Sequence, residues 1–127
     1  MPGIVKKVIL IYYLVIIMIM PVKAETYIFI SHSMPDEALK SYYQEAQILG
    51  AKLIIKGLLN NSFQEMQAKV KDLEIAYDIH PELFDNYDVK VVPTIIRHQD
   101  NKIQKITGHI SLRSALEQFD QAKEKNK

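Results

Sequence analysis

The chain has 127 residues, nearly half of them hydrophobic, with 16 basic and 15 acidic side chains and no cysteine. That length suits one domain with one core. The absence of thiols excludes disulfide staples and any thiol–disulfide exchange by this chain alone. The near-balanced charge lacks the positive footprint that direct nucleic-acid binding requires.

Met1 to Lys7 carries two lysines and no acid, Val8 to Met20 is wholly apolar, and Val22-Lys23-Ala24 offers small residues for cleavage. This three-part layout reads as a secretory signal over residues 1–24, with the working protein beginning at Glu25 outside the cytoplasm. A helix over the apolar run would span only ~20 Å, short of a hydrocarbon core of roughly 30 Å. A cleaved signal is therefore favoured over a retained anchor, and membrane contact is expected only through this segment before cleavage. Its removal takes three lysines and no acid, leaving 103 residues with 13 basic and 15 acidic side chains, a net charge of −2 with histidines neutral.

Thr26 to Ser31 is β-branched and aromatic and predicts a strand. Ser33-Met34-Pro35-Asp36 then predicts a helix start, with Ser33 as cap, Pro35 in the first turn, and Asp36 and Glu37 at the positive end of the dipole. Leu39, Tyr42, Ala46 and Leu49 recur at helical spacing, and Gly50 is the expected stop. Of the neighbours Tyr42 and Tyr43, one can join this core stripe while the other is more exposed. Lys52 to Ile55 is a second apolar strand, and the three elements make a right-handed parallel βαβ unit.

Asn60-Asn61 breaks the chain before Ser62-Phe63-Gln64-Glu65, a capping box. Phe63, Met66, Val70 and Leu73 form one helical stripe. Ile75 to Ile79 reads as a weak strand or extended link. His80-Pro81 opens a short helix with Leu83, Phe84 and Tyr87 facing inward. Pro93 to Arg97 and Lys102 to Thr107 flank Gln99-Asp100-Asn101 as a β-hairpin. Leu112, Ala115, Leu116 and Phe119 mark the closing helix of a domain over residues 25–120, and residues 121–127 form a polar tail expected to fray. Helices must cover both sheet faces, so the order predicts a three-layer α/β sandwich.

Two stretches resemble thioredoxin-fold proteins: Tyr87 to Ile96 with its Val92-Pro93-Thr94 cis-proline strand, and Phe29 to Asp36, where redox relatives place strand, Cys-x-x-Cys and helix. A finer resemblance is to the F-type conjugative pilus assembly protein TrbC family, thioredoxin-like periplasmic proteins without redox cysteines. It is carried by Ser31-His32-Ser33-Met34-Pro35, Lys56-Gly57-Leu58 with Asn61-Ser62-Phe63, Pro81-Glu82-Leu83-Phe84, Val92-Pro93-Thr94 and Gly108-His109-Ile110-Ser111-Leu112. These pieces run in order over most of residues 27–119. The chain is short for that family. The resemblance implies a thioredoxin-like α/β/α sandwich with a mixed central sheet and a helical insertion. It also implies a role in a conjugative type IV secretion machine, with other pilus assembly proteins, among them a TraW-type protein, as partners.

On that resemblance Ser33 and Asp36 stand where redox relatives keep their two cysteines. A local reading as helix-end residues outweighs any chemistry there. In thioredoxin-like folds the loop carrying the cis-proline adjoins the N-terminus of the first helix and leaves the preceding peptide group free for an added strand. Ser31, His32, Ser33, Met34, Pro35 and Asp36 with Val92, Pro93 and Thr94 are therefore the candidate partner-binding residues. The plainer alternative is that Pro93 merely ends one segment and starts an edge strand. His32, His80, His98 and His109 show no zinc spacing, and no cofactor is implied. Ser33, His32 and Asp78 supply the residue types of a hydrolase without a Gly-x-Ser-x-Gly elbow. With no cysteine to exchange, the resemblance implies a non-catalytic periplasmic interaction module for pilus assembly. The alternatives are a general periplasmic thioredoxin-like chaperone without redox activity and, more remotely, an enzyme with an unrecognised site.

Overall fold

The structure is a computed structural model that describes residues 24–125. The expected signal, apart from Ala24, lies outside the described residues. β1 (Glu25–Phe29) leads into α1 (Asp36–Leu49) and β2 (Lys52–Ile55). A 3-10 turn (Leu59–Asn61), α2 (Phe63–Leu73), β3 (Asp78–Ile79) and α3 (Pro81–Asn86) follow. The chain closes with β4 (Thr94–Gln99), β5 (Lys102–Thr107) and α4 (Leu112–Lys125). The sheet of the described residues has the order β3-β2-β1-β4-β5. β1, β2 and β3 are parallel, and β4 runs antiparallel to β1 and β5. The mixed sheet and the βαβ unit follow the sequence expectation.

Residues alternate across the strands, so one face takes Ile28, Ile30, Leu53, Ile55 and Ile95. The other takes Phe29, Ile54 and Ile96. The first face packs against Leu39, Tyr42 and Ala46 of α1, Met66 of α2, and Leu112, Ala115 and Phe119 of α4. The helix after the first strand and the closing helix thus lie on one face. The short α3, through Phe84, supplies the third layer on the other.

Several local signals act as read. Gly50 closes α1 at φ 78, a left-handed conformation that glycine adopts without steric cost, and its N–H donates to Ala46 O at 2.8 Å. Ser62 caps α2, its Oγ accepting from Glu65 N at 3.2 Å. The reciprocal half of the box is not made, because Ser62 N–H donates to Leu59 O. Tyr42 is buried and donates to Ile110 O at 2.7 Å, while Tyr43 is half-buried.

Four expectations are corrected. Ser33 does not cap α1: Pro35 is the last extended residue, helix begins at Asp36, and no side chain caps it. The Ser33 hydroxyl is taken by Ser31 Oγ at 2.9 Å. Phe63 leaves the α2 stripe and is 60% exposed, while Met66, Val70 and Leu73 of the same stripe join the core cluster. β4 is interior rather than an edge, since β5 pairs along its whole length. Finally, α4 continues through Gln121 to Lys125, so the tail begins as helix.

The start of α4 is held from a distance. Glu45 of α1 accepts from Leu112 N at 3.1 Å and Arg113 N at 3.2 Å, and Ser111 Oγ accepts from Ser114 N at 3.1 Å. These contacts satisfy orphan amides of the first turn and place a carboxylate at the positive end of the dipole.

Candidate functional site: a docking face at the strand ends

β1 and β2 end side by side and deliver two turns to the same end of the sheet. After β1, Ser31 O accepts from Met34 N at 3.1 Å, which folds the chain back and drives Met34 into the core. His32 is fixed on both ring nitrogens. Its Nε2–H donates to Gly57 O at 3.1 Å, and its Nδ1 accepts from Tyr77 OH at 3.4 Å. Because a carbonyl only accepts, the Gly57 contact assigns the proton to Nε2. Burial raises the pKa of Tyr77, keeping it a hydroxyl donor at neutral pH. Lys69 of α2 donates to His32 O at 2.9 Å and pairs with Asp36 at 3.6 Å. The β1–α1 turn is therefore tied to three other segments.

Facing it is the segment before β4. The Val92–Pro93 peptide is cis. Pro93 O accepts from Gly108 N at 2.9 Å. Thr94 is buried, donating to Val91 O at 2.6 Å and meeting Thr107 Oγ1 at 3.1 Å. Among the described residues neither the N–H nor the C=O of Val92 has a hydrogen-bond partner. An extended chain laid there finds one donor and one acceptor ready.

Between these segments opens a cavity of about 430 Å³. Its apolar wall is Ile30, Ile55, Leu58, Phe84, Val89 and Val92, and its polar edge is Ser31, His32, Lys56, Gly57 and Lys90. Among the described residues no aspartate or glutamate lines it. Lys90 has only a loose contact with Asp88 at 3.7 Å, both side chains being largely exposed, and such pairs are weak.

Of the nine candidate residues, Ser31, His32 and Val92 meet in this cavity. Ser33, Pro35 and Asp36 are exposed beside it in sequence, while the side chains of Met34, Pro93 and Thr94 are buried and can act only by setting the backbone. Sequence reasoning missed Lys56, Gly57, Phe84, Val89 and Lys90 as site residues. The signal available was Lys56-Gly57 directly after the apolar run Leu53-Ile54-Ile55. His32, Ser33 and Asp78 do not form a relay, because His32 is bonded to Gly57 and Tyr77 and Ser33 to Ser31. Among the described residues no three His, Asp or Glu side chains group to hold a metal.

Comparison with known proteins adds three findings. Residues 28–119 match a family described as "Type-F conjugative transfer system pilin assembly protein". The periplasmic protein TrbC of Escherichia coli (strain K12) is 30% identical over 94 residues, covering 70% of this chain and 44% of that protein. The chain thus spans less than half the length of this relative. Two solved structures share the fold. StoA from Bacillus subtilis has a TM-score of 0.53 at 17% identity, covering 79% of this chain and 84% of that one. A secreted Mycobacterium tuberculosis disulfide oxidoreductase homologous to E. coli DsbE has a TM-score of 0.51 at 14% identity, covering 75% and 76%. At these identities the likeness is one of fold, which is thioredoxin-like.

Proposed function

The chain belongs to the TrbC family of type-F conjugative transfer pilin assembly proteins, and we propose that it is a non-catalytic periplasmic component that assists pilus assembly through protein–protein contact. The observation that carries this reading is the family match over residues 28–119, which contains every residue of the docking face. A second support is chemical. The fold is shared with a disulfide oxidoreductase, yet this chain has no cysteine, so the strand-end face is left with recognition rather than electron exchange. The periplasmic location extends to this chain the description of its relative, with export by the segment read over residues 1–24.

The partners are other assembly proteins of the same machine, a TraW-type protein among them, met through Ser31 to Asp36 and the Val92 peptide group. Deleting the coding region from its transfer system is expected to abolish pilus production and DNA transfer without slowing growth. Normal transfer in the deletion strain contradicts the proposal. The partly apolar cavity also suits a general holder of extended chains, and co-purification separates the two. One stoichiometric secretion-system partner supports the assembly role, and a broad set of unfolded clients supports the holder.

A further inference from the structure

We propose that the cavity at the β1 and β2 ends receives one large apolar side chain of an extended, acidic partner segment, whose neighbouring carboxylates lie against Lys56 and Lys90. The inference rests on the docking role proposed above and names the chemistry of what docks.

Three observations converge on that occupant. The floor of the cavity is apolar, formed by Ile30, Ile55 and Phe84, so burying an aliphatic or aromatic group there supplies the driving force. At the rim, Val92 presents an unpartnered N–H and C=O. A main chain in extended form satisfies both at once, and successive side chains then alternate between cavity and solvent. Among the described residues the lining carries two lysines and no carboxylate, the loosely held Asp88 lying 3.7 Å from Lys90 outside the lining. A basic segment would meet like charges, whereas an acidic one is steered in and held in register, a gain in specificity and association rate more than in affinity. A small organic anion would use the lysines and the floor but leave Val92 unsatisfied.

The test is selection of short random peptides displayed against the purified full chain. Peptides that pair a large apolar residue with adjacent Asp or Glu are expected to be enriched. Gly57→Trp places a bulky group at a cavity-lining position where a Cβ meets nothing within 4 Å, and a native circular-dichroism spectrum checks that the fold is kept. The substitution is expected to reduce capture of the selected peptides by about tenfold or more. Lys56→Glu with Lys90→Glu is expected to invert the flanking preference to Lys and Arg, and raised salt to weaken the original preference. Enrichment without the apolar–acidic pairing, no enrichment, or capture unchanged by Gly57→Trp overturns the inference. If capture survives Gly57→Trp but falls with Ser33→Trp, the docking face stands and the cavity is not its anchor point. If neither substitution matters, both readings fall.

Discussion

Under α1, α2 and α4 the sheet buries a continuous aliphatic layer, with Ile28, Leu53, Ile55 and Ile95 against Leu39, Met66 and Leu112. Among the described residues its opposite face meets only the six-residue α3 and is largely aromatic, with Phe29 and Phe84 edge-to-face at 4.9 Å and Tyr27 and Tyr87 beside them. The thick face is closed by long helices and by Glu45 reaching across to cap α4. The thin face is closed by side chains: Tyr87 OH meets His98 Nδ1 at 2.7 Å, and Lys105 donates to Tyr87 O and Asp88 O. The cavity opens where the two clusters meet at the strand ends, between Ile30 and Ile55 of one and Phe84 and Val89 of the other. Phe84 is both the main cover of the thin face and part of the cavity floor.

The sharpest way to break this comparison is to truncate one residue on each face. Leu39→Ala, at a fully buried position, is expected to lower the unfolding free energy by about 3–5 kcal/mol, read from denaturant midpoints. Phe84→Ala removes a larger side chain but is expected to cost less, about 2–3 kcal/mol, because the short α3 can settle into the gap. Amide exchange should then quicken over Pro81–Asn86 before the sheet opens. An equal global loss for both, with no local opening, would erase the distinction between the faces.

A smaller effect is expected from Glu45→Ala, which leaves two α4 amides without their carboxylate. A loss of about 2 kcal/mol should appear as a lower melting temperature, with hydrogen exchange most increased at Leu112 and Arg113. Unaltered exchange there contradicts the cap.

The smallest effect at neutral pH concerns the thin-face tyrosines. Burial, reinforced by a hydrogen bond to Glu25, pushes the Tyr27 pKa up to about 12 from its ordinary 10.0. Burial and Glu25 raise Tyr87 as well. The folded state therefore holds these protons more tightly than the unfolded chain. Stability from this source is complete below pH ~10 and is lost as pH rises through the folded values. Ultraviolet titration should show phenolate forming late at Tyr27, and Tyr27→Phe should flatten the alkaline fall in stability.

What could be read from the chain was mostly local. Gly50 and the Ser62 cap depend on neighbours a few residues apart and appear where the pattern places them, while the hairpin turn expected over Gln99-Asp100-Asn101 tightens to Asp100-Asn101 because Gln99 pairs with Lys102. The strands alternate because burial demands it. Ser33 was misread because a serine near a helix start is a cap only when its hydroxyl is free, and this one is paired with Ser31. Nothing in the sequence of α1 announces the bond that Glu45 makes to a residue 67 positions away. The cavity was invisible for the same reason. Lys56 follows β2, Phe84 lies on α3 and Lys90 precedes β4, and the pairing of β1 with both β2 and β4 brings these distant segments to one end of the sheet. The site was legible as two motifs, Ser31 to Asp36 and Val92 to Thr94, but not as a space between them.

The most direct test of the central claim is complementation of DNA transfer in a strain whose transfer system lacks this coding region. Val92→Asp places a charge against the rim and is predicted to cut transfer by about tenfold or more, while the protein accumulates with a native circular-dichroism spectrum. Ile48→Lys, at a position of α1 that is 75% exposed, is predicted to restore transfer fully. Wild-type transfer with Val92→Asp would contradict the docking face.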